Sequence, residues 1–128
     1  MPCLSISTME TKFQLGLHGQ QIAEKFLFEK GYKILARNYR IKTGEIDLVA
    51  FKDTYVVFTE VKFRRNFTYG EPLESVNYAK KKQIIKTAMH YITKNALHQA
   101  DIRFDVIEVT NIGGKYDINH IENAFDAW

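Results

Sequence analysis

The chain has 128 residues, the usual length of one domain, and folding should bury roughly two-thirds of the surface of the unfolded chain. Hydrophobic residues make up 45% and charged residues 26%, which excludes a chain that stays disordered because it lacks a core. The net charge of +3 is too small to identify a partner by itself. We therefore expect one domain over residues 1–128, with residues 1–8 flexible.

The cysteine content and the amino terminus indicate the compartment. Cys3 is the single cysteine, so no internal disulfide can form and the fold does not depend on an oxidising compartment. The first residues lack the cationic region and the unbroken apolar segment of a signal peptide. No apolar run approaches the ~20 residues that cross a bilayer. The sequence predicts a cytoplasmic protein with no membrane partner.

Hydrophobic periodicity predicts both helices and strands. Apolar residues recur at helical spacing in two segments, and β-branched and aromatic residues are enriched in the others. The predicted elements are, in chain order, a helix from about Glu10 to Lys30, strands at Tyr32–Ile41, Gly44–Lys52 and Tyr55–Arg64, a helix from about Leu73 to Asn95, a strand at Asp101–Thr110 and a candidate short strand at Tyr116–Ile121. The order α-β-β-β-α-β predicts an α/β domain with a central mixed sheet flanked by helices.

The second and third strands are separated by two residues and should form a hairpin. This turn places Asp47 opposite Glu60 and Glu45 opposite Lys62. Because side chains alternate along a strand, all four should lie on one face of the sheet. The other face would carry the apolar residues Ile46, Leu48, Ala50, Val57 and Val61.

Two carboxylates opposed across strands repel each other. A raised pKa, a different register or a bound cation would relieve the repulsion, and carboxylate oxygens suit Mg²⁺ or Mn²⁺. The Val61 carbonyl could complete the coordination, and the Lys62 ammonium would favour hydroxide over water. The hairpin thus predicts a metal site of Asp47 and Glu60 with Lys62 as a catalytic partner. The alternative is ordinary strand-face charges, with Glu45 and Lys62 as a cross-strand ion pair.

The segments GEIDLVA (residues 44–50) and FTEVKFR (residues 58–64) resemble the PD-(D/E)XK nuclease superfamily, especially archaeal Holliday-junction resolvases. The whole chain resembles still more closely the YraN family of bacterial proteins. The matching stretches are residues 19–23, 31–32, 37–38, 44–50, 58–62, 76 with 80, and 103–105. This resemblance implies a restriction endonuclease-like core in which Asp47 and Glu60 hold the metal and Lys62 positions the attacking water. Glu45 would support Lys62.

The first helix departs from the pattern that this resemblance implies. The family typically has Gly-Glu there, and resolvases use the Glu as a metal ligand, whereas this chain has Gly19-Gln20. Gln20 can offer a carbonyl oxygen but no charge. Glu24, one helical turn later, could compensate.

Basic residues around the hairpin and on the second helix could contact DNA phosphates without reading sequence. They are Arg37, Arg40, Lys42, Arg64, Arg65, Lys80 and Lys81. For the lysine run, a solvated helix face is the alternative. Lys80 shares a helical stripe with Ile84 and Ala88 and is expected to reach toward the site. Arg103 and Asp105 share a strand face and are predicted to form a structural ion pair, and the four histidines are predicted to be surface or satisfied residues.

Three functions remain open from the sequence. The first is a divalent-metal-dependent nuclease acting on DNA, with branched or structured DNA as a candidate substrate. The second is a nucleic-acid-binding module with the same fold and little or no catalysis, which Gln20 favours. The third is a non-enzymatic interaction domain. Symmetric cleavage of a junction would require a homodimer, for which the sequence identifies no surface.

Overall fold

A computed structural model describes residues 12–64 and 77–126, with side chains described from residue 17 onward. Its elements are α1 (Lys12–Glu29), β1 (Lys33–Ile41), β2 (Gly44–Lys52), β3 (Tyr55–Arg64), α2 (Tyr78–Lys94), β4 (Asp101–Ile112) and β5 (Lys115–Phe125). The predicted order is confirmed, and the candidate last strand is a full strand. The predictions for residues 1–8 and for Arg65 lie outside the described residues.

The five strands form one sheet in the order β1-β2-β3-β4-β5. Neighbours are antiparallel except β3 and β4, which are parallel. A parallel pair needs a crossover connection, and α2 lies in the connection between these two strands. The result is an α/β domain consistent with a restriction endonuclease-like core. Neither described helix is long and apolar enough to cross a membrane.

Each face of the sheet carries one hydrophobic cluster. On one face, Val49 and Phe58 pack with Ile84 and Ala88 of α2. On the other face, Leu48 and Val57 belong to the cluster that contains Ala23 and Leu27 of α1. Because neighbouring strand residues belong to different clusters, both faces of the central strands are covered, which limits where a charged side chain can meet solvent.

The second helix begins later than predicted. Asn77 has an extended backbone (φ −75°, ψ 172°), and its side chain accepts a hydrogen bond of 2.8 Å from the Lys80 N–H. A capping side chain satisfies an amide that the first helical turn leaves without a partner. The predicted start at Leu73 is therefore wrong, and the cap fixes Lys80 in the first turn of α2.

The sheet is irregular around Asp47. Arg37 pairs with Leu48 and Tyr39 with Ile46, but the positions between these pairs are unpaired, and Asn38 has a left-handed backbone (φ 50°). The side-chain alternation is interrupted here, and Ile46 joins the cluster on the α2 face. The prediction that Ile46 shares a face with Leu48 is therefore wrong.

Candidate active site

The site lies where β2 and β3 cease to pair. The predicted hairpin register is confirmed from Lys52–Tyr55 to Leu48–Thr59, where the ladder ends. One residue further, the Asp47 carboxylate accepts a hydrogen bond of 2.8 Å from the Val61 N–H through Oδ2. The Asp47 side chain accepts a backbone hydrogen bond that a carbonyl of a paired strand would otherwise accept. This hydrogen bond holds the Asp47 carboxylate beside β3.

The carboxylates of Asp47 and Glu60 form a buried, repelling pair. The Glu60 side chain is only 13% exposed. Burial, and next the charge of Asp47, raise the pKa of Glu60 to about 7. Burial likewise raises the pKa of Asp47, although the hydrogen bond from the Val61 N–H acts in the opposite direction. The surroundings therefore disfavour two negative charges, which is the condition that a bound cation would relieve.

Two ammonium groups act on the pair from different elements. Lys62 follows Glu60 by two residues on β3, so strand alternation places it on the same face, and its charge lowers the pKa of Glu60. Lys80 reaches the pair from α2, with its Nζ 3.5 Å from Oε2 of Glu60. The prediction that Lys80 extends toward the site is confirmed.

The donor set fits a small divalent cation. Within residues 12–64 and 77–126, no group of three or more His, Cys, Asp or Glu side chains is placed to hold a metal ion. A cation would therefore depend on the carboxylates of Asp47 and Glu60, on neutral oxygens and on water. Mg²⁺ keeps several waters and is commonly held by one or two carboxylates, so this donor set suits Mg²⁺ and Mn²⁺.

Glu45 does not have the partner that the hairpin register predicted. It lies opposite Arg40 in the β1–β2 hairpin, and the two side chains form an ion pair of 3.0 Å. Because the β2–β3 ladder ends at Leu48–Thr59, the extrapolated Glu45–Lys62 pairing is replaced by this local one. The Coulomb contribution of Glu45 raises the pKa of Asp47, so Glu45 adds to the negative charge at the site.

Gln20 and Glu24 lie on α1, along a groove of about 870 Å³ that Arg37 and Asn38 also line. Gln20 is buried, and Glu24 binds the Arg37 guanidinium through both carboxylate oxygens, with Nε donating to Oε1 at 2.8 Å. Glu24 is thereby held alongside β1. The roles of Gln20 and Glu24 as metal ligands stay predictions.

The predicted phosphate-binding residues occupy several environments. Acidic partners hold Arg37, Arg40 and Arg64, which pair with Glu24, Glu45 and Glu108 respectively. Lys42 is exposed in the β1–β2 turn, and the Lys81 ammonium lies 5.6 Å from the centre of the Phe125 ring. Lys42 and Lys81 therefore lie on the surface of the turn and of α2, whereas Lys80 contacts Glu60.

Two residues that shape the site were missed from the sequence. Asn38 bends β1 beside Asp47, and Asn77 caps the helix that carries Lys80. Asparagine tolerates a left-handed backbone and is a preferred helix cap, so its residue type is the available signal. Asparagine is equally common in turns, and the signal does not distinguish these uses.

A second polar cluster lies on the α1 face of the sheet. The predicted Arg103–Asp105 ion pair is confirmed at 2.8 Å. His120 donates from Nε2 to Oδ2 of Asp105 at 2.7 Å. Its side chain is buried and its Nδ1 has no hydrogen-bond partner among the described residues, so the prediction of a surface or satisfied histidine is wrong for His120. Arg103 also donates to the Tyr32 hydroxyl at 2.6 Å.

Comparison with known proteins places these residues in a family. A sequence model described as "Uncharacterised protein family UPF0102" matches residues 19–109, which include Gln20 and every described residue of the carboxylate site. A UPF0102 protein of Clostridioides difficile (strain 630) is 49% identical over 110 residues, or 86% of this chain and 95% of that protein. A UPF0102 protein of Alkaliphilus metalliredigens (strain QYMF) is 46% identical over 111 residues, or 87% of this chain and 96% of that protein. The chain belongs to UPF0102, the YraN family.

Proposed function

We propose that this protein is a divalent-metal-dependent nuclease that hydrolyses phosphodiester bonds in DNA. The observation that carries the proposal is the buried pair of Asp47 and Glu60 where two strands cease to pair, with the Lys80 ammonium 3.5 Å from Glu60 and the charge of Lys62 lowering the pKa of Glu60. Buried carboxylates with raised pKa values are characteristic of functional sites, where burial and neighbouring like charges are arranged to shift pKa values. The family resemblance gives the same three residues, Asp47, Glu60 and Lys62, as the nuclease motif.

Asp47 and Glu60 would hold Mg²⁺ or Mn²⁺, with the Val61 carbonyl and the Gln20 amide oxygen as neutral donors. When bound, the ion supplies positive charge to the attacked phosphate and makes a coordinated water more acidic. Lys62, on the same strand as Glu60, would orient the attacking water and stabilise the negative charge that develops on the phosphate. Water attacks phosphorus as the bond to the leaving sugar oxygen breaks.

We further propose branched or otherwise structured DNA as the substrate, as the superfamily resemblance suggests. Lys80 and Lys81 at the start of α2 and Lys42 in the β1–β2 turn would contact the phosphate backbone, with affinity that falls as salt rises. These contacts carry no base readout, so selectivity would depend on DNA shape. Symmetric cleavage of a four-way junction requires two active sites and hence a homodimer.

A DNA-binding module with little hydrolysis is the second candidate. The specific observation in its favour is Gln20, which is neutral where the resemblance implies a glutamate ligand. With one charge fewer, the site would bind a cation more weakly, because cation affinity depends on the number of charged oxygens.

A cleavage screen tests these candidates. Linear, flapped, forked and four-way DNA would be incubated with Mg²⁺ or Mn²⁺ and either the unmutated protein, Lys62→Ala, or Lys115→Ala, an exposed lysine at the β4–β5 turn. We expect cleavage that Lys62→Ala lowers by at least about a hundredfold and that Lys115→Ala leaves unchanged.

Each other outcome points elsewhere. Cleavage that survives Lys62→Ala contradicts the proposed mechanism. DNA binding without cleavage in either metal supports the binding module. Failure to bind any of these DNAs at low salt supports a non-enzymatic interaction domain.

A further inference from the structure

Lys80 differs from the other lysine of the site in how it is held. Lys62 is part of β3, so its backbone moves only with the sheet. Lys80 extends across from α2, and its side chain is 42% exposed although its ammonium lies 3.5 Å from Oε2 of a mostly buried Glu60. The lysine side chain is a flexible four-carbon chain, so the Lys80 ammonium can leave Glu60 while the helix stays in place.

We propose that Lys80 is an internal counter-ion of the carboxylate pair, which contacts Glu60 in the metal-free protein and moves to a DNA phosphate when a divalent cation binds. The inference rests on the proposed function and adds a step to it. In this view, cation binding and phosphate contact are coupled through one side chain.

The charges at the site support this exchange. Without a cation, the ammonium groups of Lys80 and Lys62 lower the pKa of Glu60 and so offset part of the negative charge of the carboxylate pair. Asp47 is also within the electrostatic reach of Lys80, which therefore acts on both carboxylates. A divalent ion bound to Glu60 would repel an ammonium that close, and the Lys80 side chain, which is 42% exposed, can move away from it into solvent.

The surface beside Lys80 offers a destination. Lys81 and Lys82 follow it on α2, and their ammonium groups lie 5.6 and 5.3 Å from the centres of the Phe125 and Tyr78 rings. Tyr78 is 75% exposed. These cations outside the carboxylate site form a rim where a phosphate backbone would be attracted, and a displaced Lys80 would add to it.

The Asn77 cap explains how α2 can hold this position. It fixes the Lys80 backbone through the 2.8 Å bond to its N–H. The first turn is thereby held near the separated ends of β2 and β3, and only the side chain has to move between Glu60 and the rim. A fixed backbone with a movable side chain is the arrangement that the exchange requires.

The test uses Lys80→Met, which removes the charge and keeps a similar stem. Mn²⁺ binding would be measured by calorimetry at about pH 8, above the pKa of about 7 of Glu60. We expect Lys80→Met to bind Mn²⁺ about fivefold more tightly than the unmutated protein, because a competing positive charge is gone. In EDTA the variant should unfold at a lower temperature, and Mn²⁺ should raise that temperature more than in the unmutated protein.

DNA binding gives the second half of the test. In the presence of Ca²⁺, Lys80→Met should bind DNA more weakly and reduce the slope of log affinity against log salt by about 1. Lys82→Met is the matched control on the same helix and should weaken DNA binding without changing Mn²⁺ affinity. Lys80→Arg, which retains the charge, should restore Mn²⁺ affinity to nearly that of the unmutated protein.

The two proposals fail in different ways. If the unmutated protein binds Mn²⁺ and Lys80→Met binds it equally or more weakly, the counter-ion role is wrong and the nuclease proposal stands. If the unmutated protein binds no Mn²⁺, both proposals are wrong. If Lys80→Met tightens Mn²⁺ binding but leaves DNA affinity and its salt slope unchanged, the transfer of Lys80 to phosphate is wrong.

Discussion

Asp105 and Glu60 are buried carboxylates on neighbouring parallel strands, yet their surroundings shift their pKa values in opposite directions. Asp105, with a fully buried side chain, accepts from Arg103, His120 and the Asn123 N–H. Burial alone would raise the pKa of Asp105, but the bonds from His120 and Arg103 outweigh it and lower that pKa. Burial raises the pKa of Glu60 to about 7, and its partners only reduce the shift.

The difference separates a structural cluster from a functional one. Asp105 joins β4 to β5 at a register irregularity, where Asn123 has a left-handed backbone (φ 54°) and donates its N–H to the carboxylate at 3.0 Å. Its hydrogen bonds are satisfied within the protein, which is what stability requires of a buried charge. Glu60 and Asp47 instead keep raised pKa values, because Lys80 and the Val61 N–H offset only part of the effect of their burial. The following predictions test this contrast, from the largest expected effect to the smallest.

Replacing Asp105 should cause the largest loss of stability. In Asp105→Asn, Arg103 stays in its largely buried position without an anion, and the amide cannot accept all the bonds that the carboxylate accepted. We expect the free energy of unfolding to fall by about 3–5 kcal/mol. Urea denaturation at neutral pH measures it. Asp117→Asn, at an exposed position on β5, is the control and should change it little. A loss in Asp105→Asn as small as that of the control would show that the cluster is not structural.

Replacing Glu60 should instead raise the free energy of unfolding of the metal-free protein. The folded-state pKa of Glu60, about 7, lies above its ordinary value of 4.5, so the folded protein holds a proton that the unfolded chain has lost between these values. This contribution makes the metal-free protein less stable as the pH rises through 7. Glu60→Gln removes the penalty, and we expect it to stabilise the protein by roughly 2 kcal/mol at about pH 8.

The same variant should give almost no stabilisation at about pH 4, where Glu60 is protonated in both the folded and the unfolded states. Thermal unfolding in EDTA at both pH values measures the difference. Glu122→Gln, exposed on β5, controls for the general effect of removing one negative charge. If Glu60→Gln destabilises the protein at both pH values, the carboxylate pair is not a source of repulsion and the contrast with Asp105 is wrong.

The parts of the site that follow regular patterns were predictable from the sequence. A two-residue turn fixed the register between β2 and β3, which brought Asp47 near Glu60, and helical spacing directed Lys80 toward the same place. Strand alternation likewise paired Arg103 with Asp105. Each of these inferences depends on one backbone period continuing without interruption.

The rest depends on single residues that interrupt a period. Asn38, with its left-handed backbone, lies across from Asp47, and Ile46 packs on the α2 face instead of sharing a face with Leu48. Asn77 caps α2, so this helix begins at Tyr78, whereas apolar spacing alone predicts an earlier start. The addition of His120 and Tyr32 to the Arg103–Asp105 pair joins residues distant in the chain, which no local pattern predicts. The raised pKa of Glu60 depends on such tertiary burial as well.

Replacing Glu24 should have the smallest effect on stability and on Mn²⁺ affinity. The result decides whether Glu24 is a ligand of the cation. The sequence predicts Glu24 as a substitute for the missing glutamate at Gln20, but the structure places Glu24 in a bidentate ion pair with Arg37. Exposed ion pairs contribute little to stability. We therefore expect Glu24→Gln to leave both the unfolding temperature and the Mn²⁺ affinity close to those of Glu29→Gln, an exposed control on the same helix.

The direction of any change in Mn²⁺ affinity is informative, because a ligand and a distant charge act differently. Loss of a liganding carboxylate would weaken Mn²⁺ binding by well over about tenfold, whereas loss of a distant negative charge weakens it slightly and less at high salt. A large, salt-independent loss in Glu24→Gln would make Glu24 a third anionic ligand, released from Arg37 when the cation binds. A small, salt-dependent loss would confine the anionic ligands to Asp47 and Glu60, the carboxylates on which Lys80 acts.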